Sequence, residues 1–332
     1  NLDNLAMNGI RFTQAYSGSS ECAPSRGSLM TGMHMGHCRI RANRSVRGQD
    51  HLLSEDVTVA EVLKGAGYTT GFIGKWGIGL PGTEGAPDKQ GFDFSYGYYD
   101  QARAHGFFPH YLMRNGKPEP IPENYGFNMK RVKTYNGRPL DRLDDVMNIY
   151  DKNGRLVPDG IPDADAAKYS ENLFQKEALN FISEHKDKPF FLYYATQLPH
   201  GPCITPDLGA YKDKPWDLKH KEWAAMMGQL DRGVGRMVDL MEQLEILENT
   251  VIFFAGDNGY SQWGYFGSPL HYAHALFNHS PPSPPLPFAS THHLRMRLPF
   301  FVYSLATINS GAPPPLCTLY DVLPTPPALL AL

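Results

Sequence analysis

The feature that most constrains the fold of this chain is the alternation of short apolar runs with segments of helical periodicity. Residues 68–73, 190–194 and 250–255 have the length and composition of buried strands. Apolar residues at helical spacing predict helices over about 168–185 and 223–244. Strands that alternate with helices in this way indicate an α/β fold with a mixed, mostly parallel central sheet flanked by helices.

Polar residues follow each of the predicted strands. Lys75, His200 and the pair Asp257–Asn258 each come soon after one of them. Binding sites in open α/β sheets lie beyond the carboxyl ends of the strands, so we expect these side chains at one edge of the sheet. Position alone assigns no role, because an Asp–Asn pair is also common in turns and a single histidine is often structural.

The charge balance excludes several classes of function. The chain has 34 acidic and 31 basic residues and a formal net charge of −3, which gives no electrostatic case for binding nucleic acid or an anionic membrane. No apolar run is long enough to cross a bilayer, so we expect no membrane span.

Two segments depart from the general pattern. Residues 82–162 show little periodicity and are rich in Gly, Pro, Tyr and Asn, which is typical of the wall of a binding cleft. Residues 259–294 contain no Lys, Arg, Asp or Glu, although a folded surface usually carries many charges. We therefore expect 259–294 to be an anomalous segment.

The segment Cys22-Ala23-Pro24-Ser25-Arg26 carries the strongest local signal for chemistry. Pro24 suits the first position of a helix, which would put Cys22 just before the helix N-terminus, facing unpaired backbone N–H groups. That setting stabilises an anion, and Arg26, one turn along, can offer a planar fork to an oxyanion. An ordinary buried cysteine before a helix fits these residues equally well.

The same segment resembles the signature of the type I sulfatases, because Cys-x-Pro-Ser-Arg is followed by Gly-Ser-Leu-Met-Thr-Gly at residues 27–32. Residues 67–76 resemble the second signature of that family. Further similarities, in the family's order, lie at residues 2–17, Pro199–His200, 257–259 and 321–325. The resemblance implies an alkaline-phosphatase-like sandwich and one large catalytic domain over residues 1–332. The family's first strand would precede Asn1, and its small C-terminal subdomain would follow Leu332.

The resemblance also implies a mechanism. In this family the signature cysteine, here Cys22, is oxidised to formylglycine by a formylglycine-generating enzyme. One hydroxyl of the hydrated aldehyde attacks sulfur, and the other then helps to expel sulfate. The resemblance assigns Arg26 to holding the diol, Lys75 to binding a sulfate oxygen and His200 to protonating the leaving group.

The remaining implied residues bind metal or substrate. Asp257, Asn258 and the group derived from Cys22 would be ligands of a divalent cation, Ca²⁺ or another such as Mg²⁺, together with an Asp pair from the family's first strand. Most members have a histidine where this chain has Gly77. A branch with glycine there has a histidine in the next loop, which makes His105 a candidate sulfate contact.

A cluster of basic residues follows the first signature. We take His37 as a candidate substrate-binding residue. Its neighbours could line a pocket for an anionic sugar sulfate or could be ordinary surface residues; they are His34, Arg39, Arg41 and Arg44.

These observations predict an arylsulfatase-like sulfuric ester hydrolase that acts on aryl or carbohydrate sulfates. Family resemblance also implies a secreted, periplasmic or lysosomal location. One alternative is a phosphonate or phosphate ester hydrolase of the same superfamily. Another is a catalytically silent binding protein, which is favoured by Gly77 and by the absence of any lysine after Asn258, where the family supplies a second sulfate-binding lysine.

Overall fold

The protein is described by a computed structural model. It describes residues 1–43, 48–124, 134–135, 138–139, 168–201, 203, 205–259, 299–305 and 317–318. The helices are α1 (Leu2–Met7), α2 (Cys22–Thr31), α3 (Val59–Gly65), α4 (Ser170–Glu184) and α5 (Leu218–Gln243). The strands are β1 (Ile10–Phe12), β2 (Ala15–Tyr16), β3 (Thr69–Lys75), β4 (Phe94–Tyr98), β5 (Tyr111–Arg114), β6 (Lys117–Pro120), β7 (Thr134–Tyr135), β8 (Arg138–Pro139), β9 (Phe190–Ala195), β10 (Ile252–Ala255), β11 (Phe300–Tyr303) and β12 (Cys317–Thr318).

The principal sheet of the described residues has the strand order β6-β5-β4-β3-β9. Its centre is parallel, because β3 pairs in parallel with both β4 and β9. Its outer edge is antiparallel, where β4, β5 and β6 follow one another. The mixed α/β architecture predicted from the sequence is therefore confirmed.

A second sheet holds the strand that leads to Asp257. β10 pairs antiparallel with β11, and β11 pairs antiparallel with β1. The strand predicted at residues 250–255 is present as β10, and its partner among the described residues is β11. Short apolar runs do not encode their partners, and β11 comes from a distant part of the chain.

Helix α4 covers one face of the principal sheet and packs against α5. Gly71 in β3 makes the close approach possible, since a Cβ there would come within 2.6 Å of the Phe181 ring. The core on the other face centres on fully buried Phe72 and Trp76, whose ring centroids are 5.3 Å apart. Lys75 at the end of β3 thus sits on a rigidly packed strand.

The structure shows how α3 is capped and corrects two of the predicted boundaries. The capping box at α3 is present, with the Thr58 side chain accepting from Glu61 N and the Glu61 side chain accepting from Thr58 N. β3 runs through Lys75, which the sequence had placed in the following loop. α5 begins before residue 223, at Leu218.

Residues 82–162 were expected to be irregular, but they contain β4, β5 and β6. The β5–β6 hairpin turns at Asn115-Gly116, where φ is 49° and 80°, respectively. Two positive φ values are what a tight two-residue hairpin requires, and Asn-Gly supplies them. The unpatterned stretch 140–167, the segment 260–298 and the landmark at 321–325 lie outside the described residues. Among the described helices, none has the length and apolarity of a membrane span.

Candidate active site

Helix α2 begins at Cys22, which is buried, and not after it as predicted. Pro24 consequently lies inside the first turn, where a missing N–H costs nothing because the first N–H groups of a helix have no intrahelical acceptor. Asn43 supplies the cap instead: its Oδ1 accepts from Ala23 N at 2.8 Å, while Glu21 Oε2 accepts from Asn43 N at 3.0 Å. Cys22 is thereby fixed at the positive end of the helix.

Arg26, one turn along α2, is 3% exposed and joins three parts of the chain. Its Nε donates to Trp76 O at 2.9 Å, just beyond β3, and its Nη1 donates to Asp257 Oδ2 at 2.9 Å, just beyond β10. Its Nη2 donates to Gln101 Oε1. The guanidinium therefore ties the helix that carries Cys22 to both sheets.

Asp257 also lies near Cys22 at the start of α2. Burial alone would raise the pKa of Asp257, but the positive charges of Arg26 and Lys75 outweigh it, and the pKa lies below its ordinary value. The side chain keeps 36% of its surface exposed, so this anionic group remains open to a ligand.

Lys75 forms a second contact group with two histidines. Its Nζ lies 3.1 Å from His105 Nε2, and since an ammonium can only donate, Nε2 is the acceptor. The His105 ring stacks on that of His200, with centroids 4.2 Å apart. His200 Nδ1 faces Gly201 O and must donate to it, which leaves Nε2 of the neutral ring free of a proton.

Burial dominates the electrostatics of this group. It lowers the pKa of Lys75, even though the nearby Cys22 opposes the shift. Burial and the positive charge of Lys75 lower the pKa of His200 to about 4, and the same two causes hold the pKa of His105 well below its ordinary value. The free protein therefore keeps both imidazoles neutral near pH 7.

The surroundings of Gly77 explain why the imidazole beside Lys75 comes from His105, in the loop after β4, and not from position 77. Its φ is +73°, and a Cβ there would lie 2.6 Å from Gln101 Oε1 and 2.9 Å from Arg26 Nη2. No side chain fits at this position while Gln101 faces Arg26. Gln101 was not among the residues predicted from the sequence, because a glutamine in an irregular loop carries no local signal.

Asp257 and Asn258 could contribute to a cation site. Asn258 Oδ1 is buried and has no hydrogen-bond partner among the described residues, while its Nδ2 donates to Gly259 O at 2.9 Å. An unpartnered amide oxygen beside a carboxylate suits a hard cation, which prefers oxygen ligands. In the part of the chain that the structure describes, no group of three or more His, Cys, Asp or Glu forms a complete site.

In the described residues, the arginines of the basic cluster after α2 contact acidic side chains and backbone carbonyls. Arg39 pairs with Asp56 and Glu55, both at 2.6 Å, and Arg41 donates to Gly36 O at 2.9 Å and also to Met35 O. These contacts shape a surface turn. His37 is exposed on it, and within residues 1–43 and 48–124 no described side-chain contact joins it to Lys75 or His105. Arg44 lies outside the described residues.

Comparison with known proteins identifies relatives along the whole chain. The model of the Sulfatase family matches residues 1–329. The chain is 29% identical over 296 residues to the N-acetylgalactosamine-6-O-sulfatase of Bacteroides thetaiotaomicron, covering 78% of this chain and 53% of that protein. It is 32% identical over 266 residues to arylsulfatase G of Homo sapiens, covering 78% and 46%, respectively.

Solved structures support the same architecture. The crystal structure of Ps i-CgsB in complex with k-i-k-neocarrahexaose matches with a TM-score of 0.69 at 24% identity, over 100% of this chain and 66% of that one. The chain spans about half the length of the curated relatives it matches.

Proposed function

The chain belongs to the sulfatase family, and from that premise we propose that the whole protein hydrolyses sulfate monoesters at the site around Cys22. The observation that carries the proposal is the Arg26 guanidinium. It joins the signature helix, which begins at Cys22, to Asp257 beyond β10. A nucleophile, a fixed cation and an anionic ligand group thus meet at one point.

Formylglycine at position 22, once hydrated, would supply a nucleophile whose second hydroxyl assists sulfate release, which a thiol cannot do. Arg26, one turn along the same helix, would orient that group, while its Nη1 donates to Asp257. The buried start of α2 contributes the positive end of a helix dipole, which favours an anion there. These features support Cys22 and Arg26 as the nucleophile and its positioning cation.

Lys75 and the two histidines support binding and protonation of the ester. The buried ammonium of Lys75 has lost its hydration, and a bound sulfate would supply negatively charged oxygens in place of water. The negative charge of the sulfate also favours the protonated form of a neighbouring imidazole. His200 would then carry a proton on Nε2, the nitrogen left free by the Gly201 contact, and deliver it to the leaving oxygen. His105 holds Lys75 and offers a further contact to sulfate.

A divalent cation, Ca²⁺ or Mg²⁺, would be held by Asp257 and Asn258 with ligands from beyond the described residues. It would supply charge withdrawal from the sulfate group. Arg26 keeps one carboxylate oxygen of Asp257 in place, and the other oxygen and Asn258 Oδ1 stay available as ligands.

The names of the relatives favour aryl or carbohydrate sulfates as substrates. His37 remains a predicted contact to such a substrate. We also place maturation by a formylglycine-generating enzyme, and a secreted, periplasmic or lysosomal location, within this proposal. A phosphonate or phosphate ester hydrolase and a silent binding protein stand as the alternatives.

Two measurements on the full-length protein from a native source, and one variant, test the proposal. Mass analysis of the Cys22 peptide should show the aldehyde, and an intact thiol in all of the material would overturn the mechanism. Turnover of 4-nitrophenyl sulfate should exceed that of a matched aryl phosphonate, and the reverse order would favour the phosphorus ester hydrolase. Cys22→Ala should abolish sulfate release, which a binding protein would never have shown.

A further inference from the structure

We infer that Gln101 is a positioning residue that fixes the orientation of Arg26 for sulfate ester hydrolysis. This inference rests on the proposed function. Gln101 is 2% exposed, and its Oε1 accepts from Arg26 Nη2. The orientation of the amide is unambiguous, because a guanidinium has only donors and must face the oxygen.

The backbone around Gln101 is itself fixed. Gln101 N donates to Gln49 Oε1 at 2.6 Å, and Gln49 is 8% exposed. The carboxylate of buried Asp100 accepts from Arg103 N, which holds the short 3-10 helix Arg103–His105 against the site. A side chain on so constrained a loop can hold its partner in one orientation.

This loop reaches both buried cations of the site. Gln101 contacts Arg26, and His105, from the same loop, contacts Lys75. The contact at Arg26 also depends on Gly77, since a Cβ there would collide with Gln101 Oε1 and Arg26 Nη2. Gly77 and Gln101 are therefore complementary, and the glutamine fills the space that the glycine leaves.

The neutral charge of Gln101 matters as much as its position. Arg26 donates to three acceptors, of which Trp76 O and Gln101 Oε1 are uncharged and Asp257 is a carboxylate. A glutamate at position 101 would also accept from the guanidinium, but with Asp257 it would put two carboxylates on one cation and make the group net negative. An apolar side chain would leave Nη2 buried without an acceptor and free the guanidinium to reorient. Loss of the hydrogen bond to Arg26 and addition of a negative charge beside Arg26 should therefore cause different kinetic defects.

The test measures kcat and KM for 4-nitrophenyl sulfate in the full-length protein carrying Gln101→Met or Gln101→Glu. Misplacement of Arg26 should lower kcat of Gln101→Met by about tenfold or more, with KM changed much less. Gln101→Glu should keep more of kcat than Gln101→Met but raise KM and weaken inhibition by inorganic sulfate. Gln90→Met is the matched control, because Gln90 is fully buried and its side-chain amide donates to Leu53 O and Glu84 O, not to Arg26.

The outcomes separate this inference from the proposed function. If Gln101→Met retains kcat within about twofold of the wild type, or if both Gln101 variants behave like Gln90→Met, the positioning role is wrong while the sulfatase proposal stands. If the wild type carrying formylglycine does not turn over the ester, the proposed function fails and takes this inference with it. Should Gln101→Met not fold, the kcat and KM split of Gln101→Glu decides the question.

Discussion

The imidazole rings of His105 and His200 stack with their centroids 4.2 Å apart and their planes 14° apart. His105 comes from the loop after β4 and His200 from the loop after β9, so the stack joins two segments that flank β3. Lys75, at the end of β3, contacts the His105 ring, and its positive charge lowers the pKa of His200. Both rings are neutral in the free protein, because burial and the positive charge of Lys75 oppose protonation of either ring.

This arrangement predicts an acid-labile fold. The pKa of His200 is about 4 in the folded protein against an ordinary value of 6.5, so between these values the unfolded chain binds more protons. The free energy of unfolding should therefore fall as the pH drops from 6.5 towards 4. His200→Gln should flatten that dependence in urea unfolding measured at pH 5 and pH 7. The exposed His37→Gln is the control, and an equal slope in His200→Gln and wild type would contradict the prediction.

Arg26→Lys should lower kcat for an aryl sulfate by about 100-fold or more, a loss typical of removing a fixed donor from a transition-state site. A single ammonium cannot meet Trp76 O and Asp257 together from one position, which the planar guanidinium does. The control is Arg39→Lys, whose parent side chain pairs with Asp56 and Glu55 on a surface turn. Equal activity in the two variants would show that the fork geometry is not needed.

Asn258→Leu should weaken binding of Ca²⁺ or Mg²⁺ by about tenfold or more, measured by calorimetry on the chelator-treated protein. The substitution keeps the size of the side chain and removes the buried Oδ1 that lacks a hydrogen-bond partner among the described residues. Asn258→Asp keeps an oxygen there and should retain binding. Unchanged affinity in Asn258→Leu would exclude Oδ1 as a ligand; Asn172→Leu, an exposed amide on α4, serves as the control.

Asn43→Ala should lower the free energy of unfolding by about 1 kcal/mol, the usual value of an N-terminal cap. Asn43 Oδ1 accepts from Ala23 N at the start of α2. The side chain of Glu21, the N-cap residue of α2, makes no capping hydrogen bond. Asn43→Asp keeps the acceptor and should lose much less in the same denaturant titration. A similar loss in both variants would mean that Asn43 acts through another contact.

The sequence indicated several residues that the structure brings together, because the signals for these residues are local. Cys22 and Arg26 share one helix turn, and Lys75 ends a strand with a clear apolar pattern, so each could be placed from its own neighbours. Gln101 and the sheet membership of β10 could not, because both depend on contacts between segments far apart in the chain. The Gln101 side chain occupies the space that a side chain at position 77 would need. This relationship is seen only from the distances around Gly77 in the folded structure.

Buried Glu171 in α4 should make the opposite contribution to stability from that of His200. The residue is 3% exposed; Oε1 accepts from Tyr194 OH, and Oε2 has no hydrogen-bond partner in the described part of the chain. Burial raises the pKa of Glu171 above its ordinary 4.5, although the hydrogen bond from Tyr194 opposes the shift. The stability that the protonated carboxyl contributes is therefore full below pH 4.5 and is lost as the pH rises through the folded pKa.

Glu171→Gln should therefore raise the free energy of unfolding at pH 7 by about 1 kcal/mol, because the amide stays neutral and still accepts from Tyr194 OH. The advantage should disappear below pH 4.5, where the wild-type carboxyl is protonated in both states. Glu184→Gln, at the exposed end of the same helix, should change neither value. A Glu171→Gln protein that is less stable than the wild type at pH 7 would mean that the carboxylate is stabilised by its surroundings, contrary to the direction of its pKa.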